Sequence, residues 1–325
     1  MKREICCKLM AALCALALLP GLTACGGGNE SQDAPEKDPV QSRQESEQKT
    51  EPAPGPEPAS EPEPEPKKEL ISQAITVDDL TYGFDNGKLA ISGSGQVTNE
   101  AYEHVLEQCG AEKEDLTELV FGEGVEFGKN LVFLDCVNLT HVTLPETIDT
   151  IYREMFAYCK NLKTVESPAA FKEIGDAAFL ECSSLEKMVD LAPGVRIGYR
   201  AFYLCTSLTE AVLPEMSNIG IGAFTFAGLV SMTLPADQDG SPDYSIVETP
   251  TLTDVTLLNG DSRYWVEFFY TYADCMPRNY PEYPDYTLTI HAPAGSYAET
   301  YIHEQAEKKM QDTGEECRVI FEALP

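Results

Sequence analysis

Phe133-Leu-Asp-Cys136-Val-Asn-Leu139, Phe156-Ala-Tyr-Cys159-Lys-Asn-Leu162 and Phe179-Leu-Glu-Cys182-Ser-Ser-Leu185 are three copies of one motif, each 23 residues after the last, and Phe202-Tyr-Leu-Cys205-Thr-Ser-Leu208 is a fourth. Ile151, Ile174 and Ile197 keep the same step, with Gly175 and Gly198 after two of them. Prolines follow each copy at Pro145, Pro168 and Pro214, while the third copy has Leu191 in that place. A fifth unit, Ile219 to Pro235, is about two residues shorter and carries Ala227 where the others have cysteine. One such unit is too small to bury its own Phe, Cys, Leu and Ile. Stacked units let each side chain pack on its copy in the next turn, so the period predicts a repeat solenoid.

Written as one line, the motif is Ile-Gly-x-x-Ala-Phe-x-x-Cys-x-x-Leu-x-x-Val-x-Leu-Pro. It resembles the BspA-like leucine-rich-repeat family of bacterial and protist surface proteins. The resemblance covers Leu116 to Leu257 and extends to the flanks, Ile91-Ser-Gly-Ser-Gly95 before and Ile290-His-Ala-Pro-Ala-Gly-Ser-Tyr-Ala-Glu-Thr-Tyr301 after. Three features depart from it: Met155 in place of a small residue, no Ile-Gly ahead of Phe133, and an insertion from Ala236 to about Pro250. It implies a leucine-rich-repeat solenoid, mainly β with short helical turns, between an N-terminal β-hairpin/helix cap and an α+β C-terminal cap. It also implies binding or adhesion at the cell surface without catalysis.

Within each unit, Leu-x-x-Val-x-Leu-Pro reads as a short strand with Leu, Val and Leu inward and the residues between them outward. Two outward columns follow: His141, Thr164, Lys187, Glu210 and Ser231, and Thr143, Glu166, Val189, Val212 and Thr233. In repeat proteins such rows are the usual ligand surface. Solvated sheet positions are the plainer alternative.

Before the repeats, Leu80 to Gly95 reads as a hairpin turning at Asn86-Gly87, and Glu100 to Cys109 as a short helix with Asn99 as its N-cap. After them, Tyr264, Trp265, Phe268, Phe269, Tyr270 and Tyr272 crowd around the only Trp of the chain, with Tyr280, Tyr283 and Tyr286 close behind. Such density suits either a platform for sugar or peptide or a cover over the apolar end of the stack. A helix near Tyr297 to Gln311 and a strand from Cys317 to Glu322 complete this end.

The chain starts with Lys2, Arg3 and Lys8, an apolar run from Leu9 to Leu19 and small residues, the three parts of an export signal. Leu22-Thr23-Ala24-Cys25 matches the bacterial lipobox, a resemblance that implies lipidation at Cys25 and anchoring on the extracytoplasmic face of a cell membrane. Gly26 to about Glu69 has almost no large apolar residue and alternates Glu with Pro, so it has no core to bury. At about 3.1 Å per residue in extended geometry, this tether reaches roughly 100 Å from the lipid. The expected organisation is therefore signal peptide 1–24, tether 25–69, N-terminal cap 70–115, repeats 116–258 and aromatic-rich C-terminal cap 259–325.

The net charge of -31 repels polyanions, which argues against nucleic acid as a partner. The regularly spaced cysteines lack the close pairs that zinc needs and travel with Phe and Leu, as small buried hydrophobes do. An exported setting permits a bridge, and Cys109, Cys275 and Cys317, which lack register, are its candidates. His104, His141, His291 and His303 are scattered with no partner motif, and Gly122-Glu-Gly124 reads as a turn. Asp237, Asp239 and Asp243 cluster about a glycine as in an oxygen-rich calcium loop, but without the Glu of an EF-hand. No cofactor and no metal is expected. The reading is a surface lipoprotein that binds an extracellular protein or cell-wall polymer. A glycan-active enzyme using acids near the aromatic segment and a solute-capturing transport lipoprotein are its alternatives.

Overall fold

Asn86 and Gly87 take left-handed φ values of 47° and 85° and turn β2 (Leu80–Asp85) back onto β3 (Lys88–Gly93), the hairpin expected of an Asn-Gly pair between alternating strands. The structure is a computed structural model and describes residues 72–236, 249, 251–275 and 286–325. The stretches read as export signal and tether, Cys25 and the Asp237, Asp239 and Asp243 cluster lie outside the described residues, as do the side chains of Tyr272 and Cys275.

An additional strand, β1 (Gln73–Val77), pairs antiparallel with β2 and was not foreseen. After β4 (Gly95–Val97) comes helix α1 (Asn99–Gln108), and then β5 (Glu118–Phe121) and β6 (Val125–Phe127). The repeats supply β7 (His141–Thr143), β8 (Thr150–Ile151), β9 (Thr164–Glu166), β10 (Phe171–Ile174), β11 (Leu191–Ile197), β12 (Glu210–Val212), β13 (Asn218–Ile219) and β14 (Ser231–Leu234). The remainder is β15 (Asp254–Leu257), α2 (Arg263–Cys275), β16 (Leu288–Ala292), α3 (Tyr297–Thr313) and β17 (Val319–Ala323). One sheet has the order β1-β2-β3-β5-β7-β9, a second β12-β14-β15-β16-β17, and a third β13-β11-β10-β8, with β4 and β6 as a separate pair. Apart from β1-β2 and β2-β3 all these pairings are parallel, as stacking of identical turns requires.

The Phe column forms a continuous stack: Phe133, Phe156, Phe179, Phe202 and Phe224 are buried, with successive centroids 6.0, 5.7, 5.4 and 5.3 Å apart. Beside it, three of the cysteine thiols point at a carbonyl of the preceding turn. Cys159 donates to Phe133 (3.2 Å), Cys182 to Phe156 (3.0 Å) and Cys205 to Phe179 (3.1 Å). Cys109, Cys136, Cys159, Cys182 and Cys205 are all buried free thiols and Cys317 is a half-buried one, so neither Cys109 nor Cys317 is bridged.

The connecting turns explain why consecutive repeats stay locked. Asp135, Tyr158, Glu181, Leu204 and Phe226, each just before the Cys position, have φ of 60°, 62°, 56°, 60° and 57°. Glu154, Ala177 and Arg200 form a second left-handed column at 57°, 53° and 53°. Alternating left- and right-handed residues aims every other N–H along the stack. Ala177 thus donates to Tyr199, Phe179 to Ala201 and Glu181 to Tyr203, each at 2.8 Å. Turns held this closely leave no space for a Cβ where Ile-Gly occurs: one on Gly198 would stand 2.5 Å from the Asp176 nitrogen.

A left-handed L-residue costs roughly 1–2 kcal/mol, more than the chain entropy that glycine loses on folding. Ala177→Gly is therefore expected to stabilise the fold by about 0.5–1 kcal/mol. Urea unfolding checks it, and a lower midpoint for the variant would refute this account of the turns.

Helix α1 differs in one detail from expectation. Its N-cap is Thr98, whose hydroxyl accepts from the Ala101 N–H at 3.2 Å. Thr98 already has the extended backbone a cap needs, and Asn99 is used elsewhere. The Asn99 amide accepts from Val132 N–H (3.0 Å) and donates to the Asn130 carbonyl (2.9 Å), tying the helix to the first repeat. Tyr102 packs on Phe133 at 4.7 Å and donates to the Val132 carbonyl.

Candidate ligand-binding face

Side chains alternate across each strand of the two long sheets. Leu119, Val142, Ala211, Met232, Val255 and Ile290 are buried and hold the strands down, leaving their neighbours on the outer face. The expected register is present within each sheet: His141 stands beside Thr164 and Thr143 beside Glu166, and Glu210 stands beside Ser231 and Val212 beside Thr233. The columns also run beyond the repeats. Lys88 and Glu118 precede His141, while Asp254 and Thr289 follow Ser231, with Thr256 and His291 in the other row. Sequence reasoning missed these outer members, although alternating Leu119-Val120-Phe121 and Val255-Thr256-Leu257 carried the signal.

Polar contacts run along the columns, from strand to strand. Lys88 pairs with Glu118 at 2.6 Å. The His141 ring meets the Thr164 hydroxyl at 2.5 Å and the Glu166 carboxylate at 3.5 Å. His291 lies between Asp254 (3.4 Å) and Glu322 (3.5 Å). Glu166 keeps 67% of its side chain exposed, so these are solvated pairs worth little to stability and open to a ligand. Among the described residues no cluster of three or more His, Cys, Asp or Glu is arranged to hold a metal ion.

The third repeat corrects the expected columns. Lys187 is exposed but lies on no strand, and Val189, expected to face outward, is only 5% exposed. The inward positions explain the slip. Where other copies have Leu144, Leu213 and Leu234, this one has Asp190, and an unpaired carboxylate is costly to bury. The segment rolls so that Asp190 is exposed and Val189 takes the inward place. Its next residue, Leu191, then pairs with Phe171 in the sheet of β10 and β11, where the Phe171 N–H donates to the Asp190 carbonyl at 2.8 Å.

The aromatic segment is corrected as well. Trp265, Phe269 and Tyr270 are buried, with Trp265 stacked on Phe269 at 5.7 Å, and Phe268 is half-buried, so most of these rings offer no face to a ligand. Helical spacing on α2 is the reason: positions 265, 266, 269, 270 and 273 form its inner stripe. Tyr264, on the opposite side, is 64% exposed.

Turns of about 23 residues, parallel ladders on one face and a stacked Phe core define a leucine-rich-repeat protein, mostly strand with few helices. Within that class, residues 125–253 match the family model described as BspA type leucine rich repeat region, in six copies. Among solved structures, a leucine rich repeat protein of T. pallidum is 25% identical, with a TM-score of 0.36 over 57% of this chain and 86% of that one. A leucine-rich repeat protein from Eubacterium ventriosum is 14% identical, with a TM-score of 0.31 over 56% and 71%. A leucine rich cell surface protein from Faecalibacterium prausnitzii is 19% identical, with a TM-score of 0.31 over 57% and 54%. No curated protein matches the chain.

Proposed function

We propose that the chain is a binding module, a capped solenoid carried on a tether and anchored by lipid at Cys25 on the extracytoplasmic side of a membrane, which grips an extracellular protein or a cell-wall polymer. The observation that carries this reading is the pair of outward columns, kept in register along parallel strands and lined by Thr, His, Glu and Asp side chains that no fold contact consumes fully. A preformed rigid face of this kind binds at low ordering cost, because its backbone is already fixed by the ladders. It asks no residue to do chemistry.

The test is binding of the full chain to immobilised extracellular-matrix proteins and to purified wall glycan. The double variant Thr143→Arg/Glu166→Arg is expected to weaken capture at least about tenfold, roughly 1.4 kcal/mol, with the thermal unfolding temperature unchanged. Loss confined to Tyr264→Ala would move the site to α2, and shortening of the glycan without capture would replace binding by catalysis.

A further inference from the structure

The first long sheet stops at β9 and the second begins at β12, so two strand edges lie inside the repeat array instead of at its ends. The third repeat stays attached through Ser184 N–H to the Lys160 carbonyl (3.1 Å), Glu186 N–H to Lys163 (3.1 Å) and Ser207 N–H to Ser183 (3.0 Å). Beyond these bonds, 187–189 part from β12. Thr209 accepts from Ser231 N–H and Leu213 donates to Thr233, so the odd-numbered residues of β12 face β14. Strand geometry then turns the N–H and C=O groups of Glu210 and Val212 the other way, toward a cleft of about 830 Å³ walled by Pro168, Met188, Val189 and Pro214.

An accessible strand edge is a template for another strand, and proteins usually blunt it. Here Val212 is 56% exposed, Met188 is half-buried, and the exposed charges at the rim are Glu186, Asp190 and Glu210 against Lys187 alone, on a chain of net charge -31. We propose that this cleft takes an extended basic segment of a partner protein, which adds to β12 as a strand. The segment's backbone would bond to Glu210 and Val212, alternate apolar residues would cover Val212 and Met188, and its Lys or Arg residues would meet the acidic rim. The proposal deepens the binding reading above and rests on it.

The test uses the full chain with fluorescent peptides of alternating sequence, Lys-Val-Lys-Val-Thr-Val and its acidic counterpart Glu-Val-Glu-Val-Thr-Val, read by anisotropy. The basic peptide is expected to bind at least tenfold tighter than the acidic one, and to slow amide exchange at Glu210 and Val212. Glu210→Lys and Val212→Pro should each weaken it about tenfold. The proline removes only the N–H that faces the cleft, since Ala211 and Leu213 make the bonds to β14. Thr143→Arg should leave peptide binding intact, which separates failure of the cleft from failure of the outer face. Equal binding of both peptides, binding of neither, or full affinity in Glu210→Lys overturns the proposal. Should Val212→Pro unfold, unchanged exchange at Glu210 and Val212 in the native chain overturns it alone.

Discussion

Raising the pH from 8 to 10 under reducing conditions is expected to cost the fold several kcal/mol, because the cysteine column carries protons that the unfolded chain releases. Cys159 is pushed up by its hydrogen bond with Cys136 and by burial, and Cys182 and Cys205 are pushed up by burial. An unfolded thiol loses its proton near pH 8.5. Below that value both states hold the proton and the stabilisation is complete. Above it only the folded state does, so stability falls by about 1.4 kcal/mol per pH unit per thiol, or roughly 4 for the three. By pH 10 the loss is on the order of 6 kcal/mol, comparable to the entire stability of many domains. Thermal unfolding followed by circular dichroism at pH 7.5, 9 and 10 measures it. Cys182→Ala should remove about a third of the slope. A melting temperature flat to pH 10, or an unchanged slope in that variant, would show that the thiols are not held as the structure places them.

Phe179→Ala is the second large effect, expected to destabilise by about 3–5 kcal/mol. The ring is buried midway in the column, with Phe156 at 5.7 Å and Phe202 at 5.4 Å, so its removal leaves a void with an aromatic wall on each side. Each repeat in such a stack contacts only its neighbours, and loss at the centre therefore weakens two interfaces together. The exposed substitution Glu166→Ala serves as the comparison and should change stability by less than about 0.5 kcal/mol. Chemical denaturation decides between them. Similar midpoints for the two variants would mean that the stack is not the main source of cohesion.

How far these features were legible depends on the residue. The stacked Phe and Cys copies follow from the 23-residue step, because a repeating environment selects a repeating side chain. The outward columns follow from strand alternation wherever Leu or Val supplies the inward positions. Ser167 and Asp190 interrupt those positions in the second and third copies. From the chain alone, Lys187 and Val189 keep their places by arithmetic, because spacing does not reveal that burying one carboxylate costs more than a strand's hydrogen bonds return. The left-handed residues were equally hidden. Tyr158, Leu204 and Phe226 are not residue types that announce positive φ, and it is the fold that shows Tyr158 and Leu204 held there by N–H groups donating to the Leu180 and Thr225 carbonyls of the next turn.

Taken by itself, the sequence determined that the chain is a stack of turns, which side chains form its core, and which strand positions face out, since these depend on periodicity and on the alternation built into the backbone. The tertiary structure alone decided that the outward face splits into two sheets at the third repeat, that Trp265, Phe269 and Tyr270 are interior, and that Asn99 joins a helix to the repeats instead of capping it. Each of these outcomes turns on what a side chain meets across the fold. Local pattern is a property of neighbours in the chain, whereas the cost of burial is set by neighbours in space.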